Sequence, residues 1–216
     1  MSNIKLAMLD FDGTTANTIP SIIYCAEKVC KEEGFVLDSE LLARNAGFTT
    51  EEAFRFLTGS NDEELITRLS ARYRSIYTSE GLDMITLFDG VLETMKRLHS
   101  KGIKFAITTN NVTPVIEYTA KRLGMAPYLD NIVCLNNVAA GKPAPDIAIE
   151  SMRLAGCTPE ESIVVGDSIF DVGMGVNAGC RCCGVTYGSQ DSKTLLDRGA
   201  TWIIDHFSEL ENIILG

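Results

Sequence analysis

The stretch "MLDFDGTTANT", from Met8 to Thr18, places two acidic residues one residue apart at the end of an apolar run. The run "IKLAML" that leads into it is short and continuously apolar, which predicts a buried strand. Two carboxylates at roughly 4–6 Å disfavour each other's ionisation, so a sequence selected only for stability would avoid the pair. Asp10 and Asp12 therefore indicate either a bound cation or a chemical role at the end of the first strand.

Further short apolar runs alternate with helical patterns from residue 84 onward. They are bounded by polar residues or glycine, as in a sheet that is covered on both faces. These runs are "KFAITTN" (104–110), "NIVCL" (131–135), "SIVVG" (162–166), "RCCGVT" (181–186) and "TWIID" (201–205). Strand–helix–strand alternation implies right-handed crossovers and a parallel sheet. The sequence predicts an α/β fold, a doubly wound parallel sheet with a Rossmann-like core.

Two of the intervening helices have recognisable ends. In "TPVIEYTAKRLG" we expect Thr113 to be the N-cap, Pro114 to lie in the first turn and Gly124 to follow the last turn. The pattern "APDIAIESMRLAG" ends in the same way at Gly156. Both patterns predict helices that connect successive strands.

Residues 15–83 interrupt the alternation. Apolar residues recur there at helical spacing, and the segment contains no strand pattern. We expect a catalytic core of residues 1–14 and 84–216, with residues 15–83 inserted as an all-helical cap domain. Ligands bind beyond the carboxyl ends of the strands in open α/β sheets. Because the insertion leaves the sheet directly after Asp10 and Asp12, it is predicted to cover the site as a lid.

Three further polar clusters each follow a predicted strand. They are Thr108, Thr109 and Asn110 after "KFAI", Lys142 in "GKPAPD", and Asp167 and Asp171 in "VVGDSIFD". Parallel strands present their carboxyl ends on one edge, so we expect these side chains to converge with Asp10 and Asp12. The four acids would then oppose a single lysine, which requires a divalent cation, and hard carboxylate oxygens favour Mg²⁺. Such a site is suited to phosphoryl transfer.

The composition excludes several classes of protein. The 216 residues include 45% hydrophobic and 22% charged residues, an ordinary balance for a globular protein, and the formal net charge is −10. An acidic surface repels a phosphate backbone, so nucleic acid is not an expected partner. No window approaches the ~18 apolar residues of a spanning helix, and no secretory leader is visible, so we expect no membrane partner.

The seven cysteines are an odd number in a chain without a visible leader, which favours reduced thiols and a cytoplasmic location. "CRCC" at residues 180–183 does not have a usual zinc spacing, and no histidine lies near it in the sequence. We therefore interpret these cysteines as buried thiols of a strand.

With these residues in place, the chain resembles the haloacid-dehalogenase-like hydrolase superfamily, and within it the phosphoglycolate-phosphatase-like group with a small helical cap. The four motifs stand in the family's order as "MLDFDGTT", "ITTNN", "GKPAPD" and "VVGDSIFD". The segments "LFDGVLETMKRL" and "GAxxxIDxxxEL" (199–210) resemble the same group. Each motif alone is weak, whereas four in order, each behind a predicted strand, are specific.

The resemblance implies a role for each motif residue. Asp10 is expected to be the nucleophile that takes the phosphoryl group. Asp12 is expected to protonate the leaving alkoxide and then to activate water, which requires a raised pKa. Thr109 and Lys142 would hold the phosphoryl oxygens, and Asn110 would help to orient them.

The resemblance also implies a Mg²⁺ site formed by the Asp10 carboxylate, the Asp12 backbone carbonyl and Asp167. Asp171 is expected to orient Lys142 or a metal-bound water. The chain departs from the family where the first motif usually reads DFDGTL followed by an acid, because Thr15 and Asn17 stand there. Asn111 stands where many relatives carry lysine.

In the insertion, Arg44 precedes the polar turn "NAGF" (45–48) and is the candidate contact for a substrate anion. The interpretation is a Mg²⁺-dependent phosphatase, monomeric or homodimeric, that acts on a small phosphorylated metabolite, with phosphoglycolate as the default substrate. The enzymatic alternatives are a β-phosphoglucomutase-like phosphomutase and a phosphonatase or pyrophosphatase of the same superfamily. A receiver-type phospho-aspartate signalling domain is the alternative outside the enzymes, and the DxD spacing and the insertion argue against it.

Overall fold

The chain divides into two compact units, Met1–Ala16 with Leu87–Gly216, and Asn17–Thr86. The structure is a computed structural model that describes residues 3–44 and 48–216. The boundaries between the units fall at residues 16/17 and 86/87, where the sequence predicted 14/15 and 83/84. We call the first part the sheet unit and the second part the helical unit.

The strands of the described chain are short. They are β1 (Leu6–Leu9), β2 (Ala16–Asn17), β3 (Thr86–Leu87), β4 (Lys104–Thr109), β5 (Asn131–Cys134), β6 (Ser162–Gly166), β7 (Arg181–Val185) and β8 (Trp202–Ile204). Six of them form one sheet in the order β5-β4-β1-β6-β7-β8, and each neighbouring pair is parallel. Counted along the chain this order is 3-2-1-4-5-6, which is the order of the doubly wound Rossmann fold. The predicted fold class is confirmed.

The described α-helices are α1 (Ile19–Glu33), α2 (Ser39–Arg44), α3 (Thr50–Thr58), α4 (Glu63–Ile76), α5 (Val91–His99), α6 (Thr113–Arg122), α7 (Asp146–Ala155), α8 (Ile169–Asn177), α9 (Ser192–Arg198) and α10 (Leu210–Leu215). A π-helical turn spans Tyr77–Gly81, and 3-10 turns span Leu82–Met84, Ala126–Tyr128, Leu135–Asn137, Pro159–Glu161 and Phe207–Glu209. None of the helices in the described part of the chain has the length and apolar character needed to cross a membrane.

The core of the sheet unit explains why β1 lies at the centre. All four residues of β1 are buried, and the strand pairs with β4 on one side and β6 on the other. Leu9 therefore lies level with Ile107 of β4 and Val165 of β6. A strand buried on both faces reads as a continuous apolar run, as "LAML" does. Asp10 follows directly, so it lies at the carboxyl edge where the chain order reverses.

Two local expectations need correction. Helix α6 begins at Thr113 itself and Val112 occupies the N-cap position, because the Thr113 backbone N–H and hydroxyl both bind Asn136 Oδ1, at 2.9 and 3.1 Å. The segment expected to lack strands contains the two-residue strand β2. The glycines do follow their helices as predicted, with Gly124 after α6 and Gly156 after α7.

The helical unit has its own packing. Helix α3 begins with a capping box between Thr49 and Glu52, and Asp62 caps α4 by accepting hydrogen bonds from its first-turn N–H groups. Phe54 of α3 is buried, and its ring meets the Tyr73 ring of α4 edge-on at 6.0 Å between centroids. The caps thus fix where α3 and α4 begin, and the Phe54–Tyr73 contact packs these two helices against each other.

Candidate active site

Lys142 joins two of the predicted acids at the carboxyl edge of the sheet. Its Nζ lies 2.5 Å from Asp10 Oδ1 and 2.5 Å from Asp171 Oδ1, and its side chain is only 3% exposed. The Asp10 backbone N–H donates to the Val165 carbonyl of β6 at 2.9 Å, which fixes the nucleophile candidate against the next strand. The structure therefore brings together side chains from the first, third and fourth motifs.

Asn110 holds the backbone of Lys142. The Lys142 N–H donates to Asn110 Oδ1 at 2.9 Å, and Asn110 Nδ2 donates to the Lys142 carbonyl at 3.4 Å. The resemblance led us to expect Asn110 to help to orient the phosphoryl oxygens. These contacts hold the backbone of the loop that carries Lys142, and the role of Asn110 towards phosphoryl oxygens stays a prediction.

The fourth motif begins where β6 ends. Ser168 is the N-cap of α8 and forms a capping box with Asp171, whose Oδ2 accepts hydrogen bonds from the Ser168 N–H (3.0 Å) and hydroxyl (2.5 Å). One oxygen of Asp171 therefore serves the helix cap and the other serves Lys142. Asp171 therefore contacts the lysine, and its expected role in orienting Lys142 or a metal-bound water stays a prediction.

Asp167 is held by two donors of its own. The Thr14 hydroxyl donates to Asp167 Oδ1 at 3.0 Å, and the Ser189 backbone N–H donates to Asp167 Oδ2 at 2.7 Å. Asp10, Asp167 and Asp171 each offer a carboxylate oxygen within 4.8 Å of the others, and all three residues are buried. Hard carboxylate oxygens at this spacing suit Mg²⁺, with Asp10 and Asp167 as the candidate side-chain ligands because both oxygens of Asp171 already accept hydrogen bonds.

The electrostatics of the site follow from burial. Burial and the neighbouring Asp171 charge raise the pKa of Asp10 well above its ordinary value. The same two causes raise the pKa of Asp167 to about 6. Burial lowers the pKa of Lys142, but the Asp10 and Asp171 carboxylates outweigh it and raise that pKa above its ordinary value. The acids repel one another more than a single ammonium compensates, and a cation would relieve this.

The two threonines that end β4 differ in their contacts. The Thr108 hydroxyl donates to the Leu9 carbonyl of β1 at 3.4 Å, a contact within the sheet. The Thr109 oxygen accepts from the Asn111 N–H at 3.0 Å, and the residue is buried at the end of the strand. A hydroxyl that accepts one hydrogen bond can still donate its own hydrogen, so Thr109 suits an oxygen-binding role better than Thr108.

Several residues of this region were missed by the sequence analysis. Thr14 and Ser189 hold Asp167, and the Thr15 hydroxyl donates to the Asp10 carbonyl at 2.9 Å. The capping box of Ser168 is visible in the sequence as a serine three residues before an acid. Ser189 left no signal because it acts through its backbone N–H, which almost any residue supplies.

The candidate Arg44 is the last residue of α2, and its side chain lies outside the described part of the structure, as do residues 45–47. The cysteine interpretation is confirmed for the "CRCC" segment: Cys180, Cys182 and Cys183 are buried free thiols. Burial raises the pKa of Cys180 to about 11 and that of Cys182 and Cys183 to about 12. Unreactive thiols of this kind are packing groups of the sheet.

The segment that carries the four motifs matches a known protein family. A family model described as haloacid dehalogenase-like hydrolase matches residues 7–185, a span that includes all four motifs. The chain belongs to this family. A phosphoglycolate phosphatase from Vibrio vulnificus is 27% identical over 98% of this haloacid dehalogenase-like chain and 96% of the relative. A pyrophosphatase PpaX from Bacillus velezensis is 26% identical over 97% of the chain and 96% of the relative.

A solved structure of a haloacid dehalogenase-like hydrolase from Streptococcus pneumoniae superposes with a TM-score of 0.87, at 23% identity and with 99% of each chain covered. This likeness supports the fold of the sheet and of the inserted helices. The recognition of the family and the prediction of an enzyme, a phosphatase of this family, are confirmed.

Proposed function

We propose that this protein hydrolyses a small phosphate ester in a Mg²⁺-dependent reaction through an aspartyl-phosphate on Asp10. The observation that carries the proposal is the buried Lys142 ammonium, which bridges Asp10 and Asp171 beside the Asp167 carboxylate. A buried cation with two carboxylates is costly as a structural device, since an apolar substitute of similar volume is often as stable or more stable. We therefore attribute the arrangement to chemistry.

In the first half of the reaction, an Asp10 carboxylate oxygen attacks the phosphorus of the ester. The bond between phosphorus and the leaving oxygen breaks, and Asp12 gives its proton to the departing alkoxide. The Lys142 bond to Asp10 Oδ1 orients the carboxylate for this attack. The remaining ammonium hydrogen and the Thr109 hydroxyl are available for phosphoryl oxygens.

In the second half, Asp12 takes a proton from water, and the water oxygen attacks the phosphorus of the aspartyl-phosphate. The bond between Asp10 and phosphorus breaks, which releases inorganic phosphate and restores both carboxyl groups. Asp12 lies two residues after Asp10 in the turn that follows β1, near enough in sequence to act on the same phosphorus.

The Asp10 carboxylate, the Asp12 backbone carbonyl and Asp167 would hold Mg²⁺, with Asp171 acting through Lys142. When bound, Mg²⁺ supplies positive charge that offsets the charge on the phosphoryl oxygens. Burial and neighbouring carboxylate charges raise the pKa of Asp10 and of Asp167, and a bound cation would offset this effect and favour the ionised forms.

The substrate is proposed to be compact, with phosphoglycolate as the first candidate, because a relative with this activity in its name aligns over almost the whole chain. Pyrophosphate is the second candidate, favoured by the similar alignment with a pyrophosphatase. The cap role of the helical unit, a contact of Arg44 with substrate, the cytoplasmic location and a monomeric or homodimeric state stay predictions.

The test is a measurement of phosphate release from purified protein with Mg²⁺ and with excess chelator. The panel contains 2-phosphoglycolate, pyrophosphate, β-glucose 1-phosphate and phosphonoacetaldehyde, and sugar phosphates are also assayed for isomerisation. We expect Mg²⁺-dependent release from 2-phosphoglycolate or pyrophosphate and none from Asp10→Asn. Isomerisation without phosphate release would support a phosphomutase, and inactivity towards the whole panel would contradict the proposal.

A further inference from the structure

A loop outside the four motifs lies against Asp167. It spans residues 186–190, "TYGSQ", and follows β7. Besides the Ser189 N–H bond to Asp167 Oδ2, the Ser189 hydroxyl donates to the Asp167 carbonyl at 3.3 Å. Gln190 Oε1 accepts from the Ile169 N–H at 2.9 Å, at the start of α8. The loop thus contacts the fourth motif at the Asp167 carboxylate, at the Asp167 backbone carbonyl and at the first turn of α8.

Tyr187 extends the same loop to the first motif. Its hydroxyl donates to the Thr14 carbonyl at 2.9 Å, and the Thr14 hydroxyl donates to Asp167 Oδ1 at 3.0 Å. The Tyr187 ring packs on Phe88 with 4.7 Å between centroids. Both oxygens of Asp167 are therefore held by hydrogen bonds that lead back to the loop, one through Ser189 and the other through Thr14 and Tyr187.

The backbone approaches so closely here that side chains are excluded. A Cβ on Gly188 would lie 2.3 Å from the Asp167 Cβ and 2.5 Å from the Gly13 carbonyl oxygen. A Cβ on Gly13, whose φ is +82°, would lie 2.4 Å from Asp167 Oδ2. Two glycines from separate loops thus enclose one carboxylate, which leaves Asp167 little freedom to change its rotamer.

We propose that Tyr187 is a positioning residue that, through Thr14, fixes the orientation in which the Asp167 carboxylate meets the divalent cation. The inference rests on the proposed function. Each Asp167 oxygen accepts one hydrogen bond from a protein donor, so these donors set the direction of the lone pairs that remain for a cation. Loop 186–190 is therefore a further functional segment of the site, which acts through Asp167.

The experiment compares wild type with Tyr187→Phe, which removes only the hydroxyl. Mn²⁺ binding is measured by electron paramagnetic resonance of the free ion, and phosphatase activity is measured as a function of Mg²⁺ concentration. We expect Tyr187→Phe to weaken Mn²⁺ binding by about 3–10-fold, and Thr14→Val, which removes the direct donor, to weaken it by about 10–100-fold. At saturating Mg²⁺ the Tyr187→Phe enzyme is expected to recover its kcat with KM for the ester unchanged.

The matched control is Tyr118→Phe, the same chemical change at an exposed tyrosine of α6, which is expected to change neither quantity. Unchanged Mn²⁺ affinity in folded Tyr187→Phe would overturn the inference. If Tyr187→Phe does not fold, the hydrogen bond from Thr14 to Asp167 is tested with Thr14→Ser, which keeps the hydroxyl, and Thr14→Val, which removes it. Equal Mn²⁺ affinities of these two variants would overturn the inference. Wild type that binds Mn²⁺ but hydrolyses no ester would contradict the proposed function and leave this comparison valid. Wild type that binds no Mn²⁺ would contradict both.

Discussion

Among the described residues, the helical unit has ion pairs on its surface, whereas the sheet unit has both surface pairs, such as Lys193 with Asp197, and a buried cluster around Lys142. In the helical unit the ion pairs lie on the surface, as in Arg72 with Glu32, whose side chains are 46% and 43% exposed. In the sheet unit Lys142 meets Asp171 with side chains 3% and 2% exposed. An exposed pair contributes little to stability, whereas a buried pair is costly to form and more costly to break. The comparison teaches that burial, more than the number of ion pairs, distinguishes the charges that serve chemistry.

The largest expected effect comes from removing the nucleophile candidate. Asp10→Asn should lower kcat by more than about 10³-fold, because an amide oxygen does not form the aspartyl-phosphate. The fold should persist, since Lys142 keeps its bond to Asp171 and one of the mutually repelling acids is neutralised. Phosphate release and circular dichroism of the same sample measure both effects.

The matched control for that variant is Asp197→Asn, at an exposed residue that pairs with Lys193 on the surface. It should retain wild-type turnover. Near-normal activity in Asp10→Asn would contradict the assignment of Asp10 and would also remove the chemical reason for the buried pair.

Removing the buried cation should affect both stability and activity. Lys142→Met leaves Asp10 and Asp171 buried without their shared partner, which should lower the free energy of unfolding by about 3–5 kcal/mol. Activity should fall by about 10²-fold or more, because the phosphoryl oxygens lose a donor. Urea unfolding without metal and phosphate release with Mg²⁺ are the measurements.

Lys193→Met, in a pair whose side chains are 83% and 66% exposed, is the matched control and should unfold as the wild type does. If Lys142→Met unfolded at the same urea concentration as this control, the buried pair would not stabilise the native state, and the contrast between the two kinds of pair would fail.

The strand ends and the acids that follow them could be predicted from the sequence because the apolar run and the acid stand next to each other in the chain. An apolar run that stops at a charged residue marks both the limit of a buried strand and the edge where side chains from different strands meet. "SIVVG" followed by Asp167 illustrates this, since β6 has the predicted bounds and Asp167 follows it directly. That rule predicts the edge at which Asp10 and Asp167 lie, whereas Lys142 and Asp171 are positioned there by the loop after β5 and by the first turn of α8.

The contacts around these residues could not be predicted in the same way. Ser189 reaches Asp167 through a backbone N–H, and the residue type carries no information about that bond. Asn110 has donor and acceptor groups that suit either a phosphate or a backbone, and only the fold decides that it binds Lys142. The N-cap assignment of Thr113 failed for a similar reason, because Asn136 lies far along the chain and competes for the same groups.

A smaller effect should appear in the pH dependence of stability. Burial and Asp171 raise the pKa of Asp167 to about 6 in the folded protein, above its ordinary 3.8. Stability from this group is therefore fully present below pH 3.8 and is lost as the pH rises through about 6. Without metal, Asp167→Asn should gain stability relative to wild type between pH 5 and pH 7.5, by about 3 °C or more in Tm.

Added Mg²⁺ should reverse this order at pH 7.5, because the cation stabilises the wild type by mass action and Asp167→Asn lacks one of its ligands. Thermal unfolding of both proteins at both pH values, with chelator and with Mg²⁺, gives the four differences in Tm that are needed. If the difference in Tm between the two proteins did not change with pH, burial would not raise the pKa of the Asp167 carboxyl in the folded protein.

The smallest effect on stability should come from breaking the exposed Arg72–Glu32 ion pair of the helical unit. Arg72 makes two hydrogen bonds of 2.7 Å to Glu32, a geometry as good as any in the site, yet both side chains are close to half exposed. Solvent and salt screen such a pair, so Arg72→Ala and Glu32→Ala should each shift Tm by less than about 2 °C and leave kcat unchanged. The double variant should show no coupling beyond the sum of the two. A large coupling measured in this cycle would mean that hydrogen-bond geometry, and not burial, decides the strength of the pairs, and Lys142 would then need no chemical explanation.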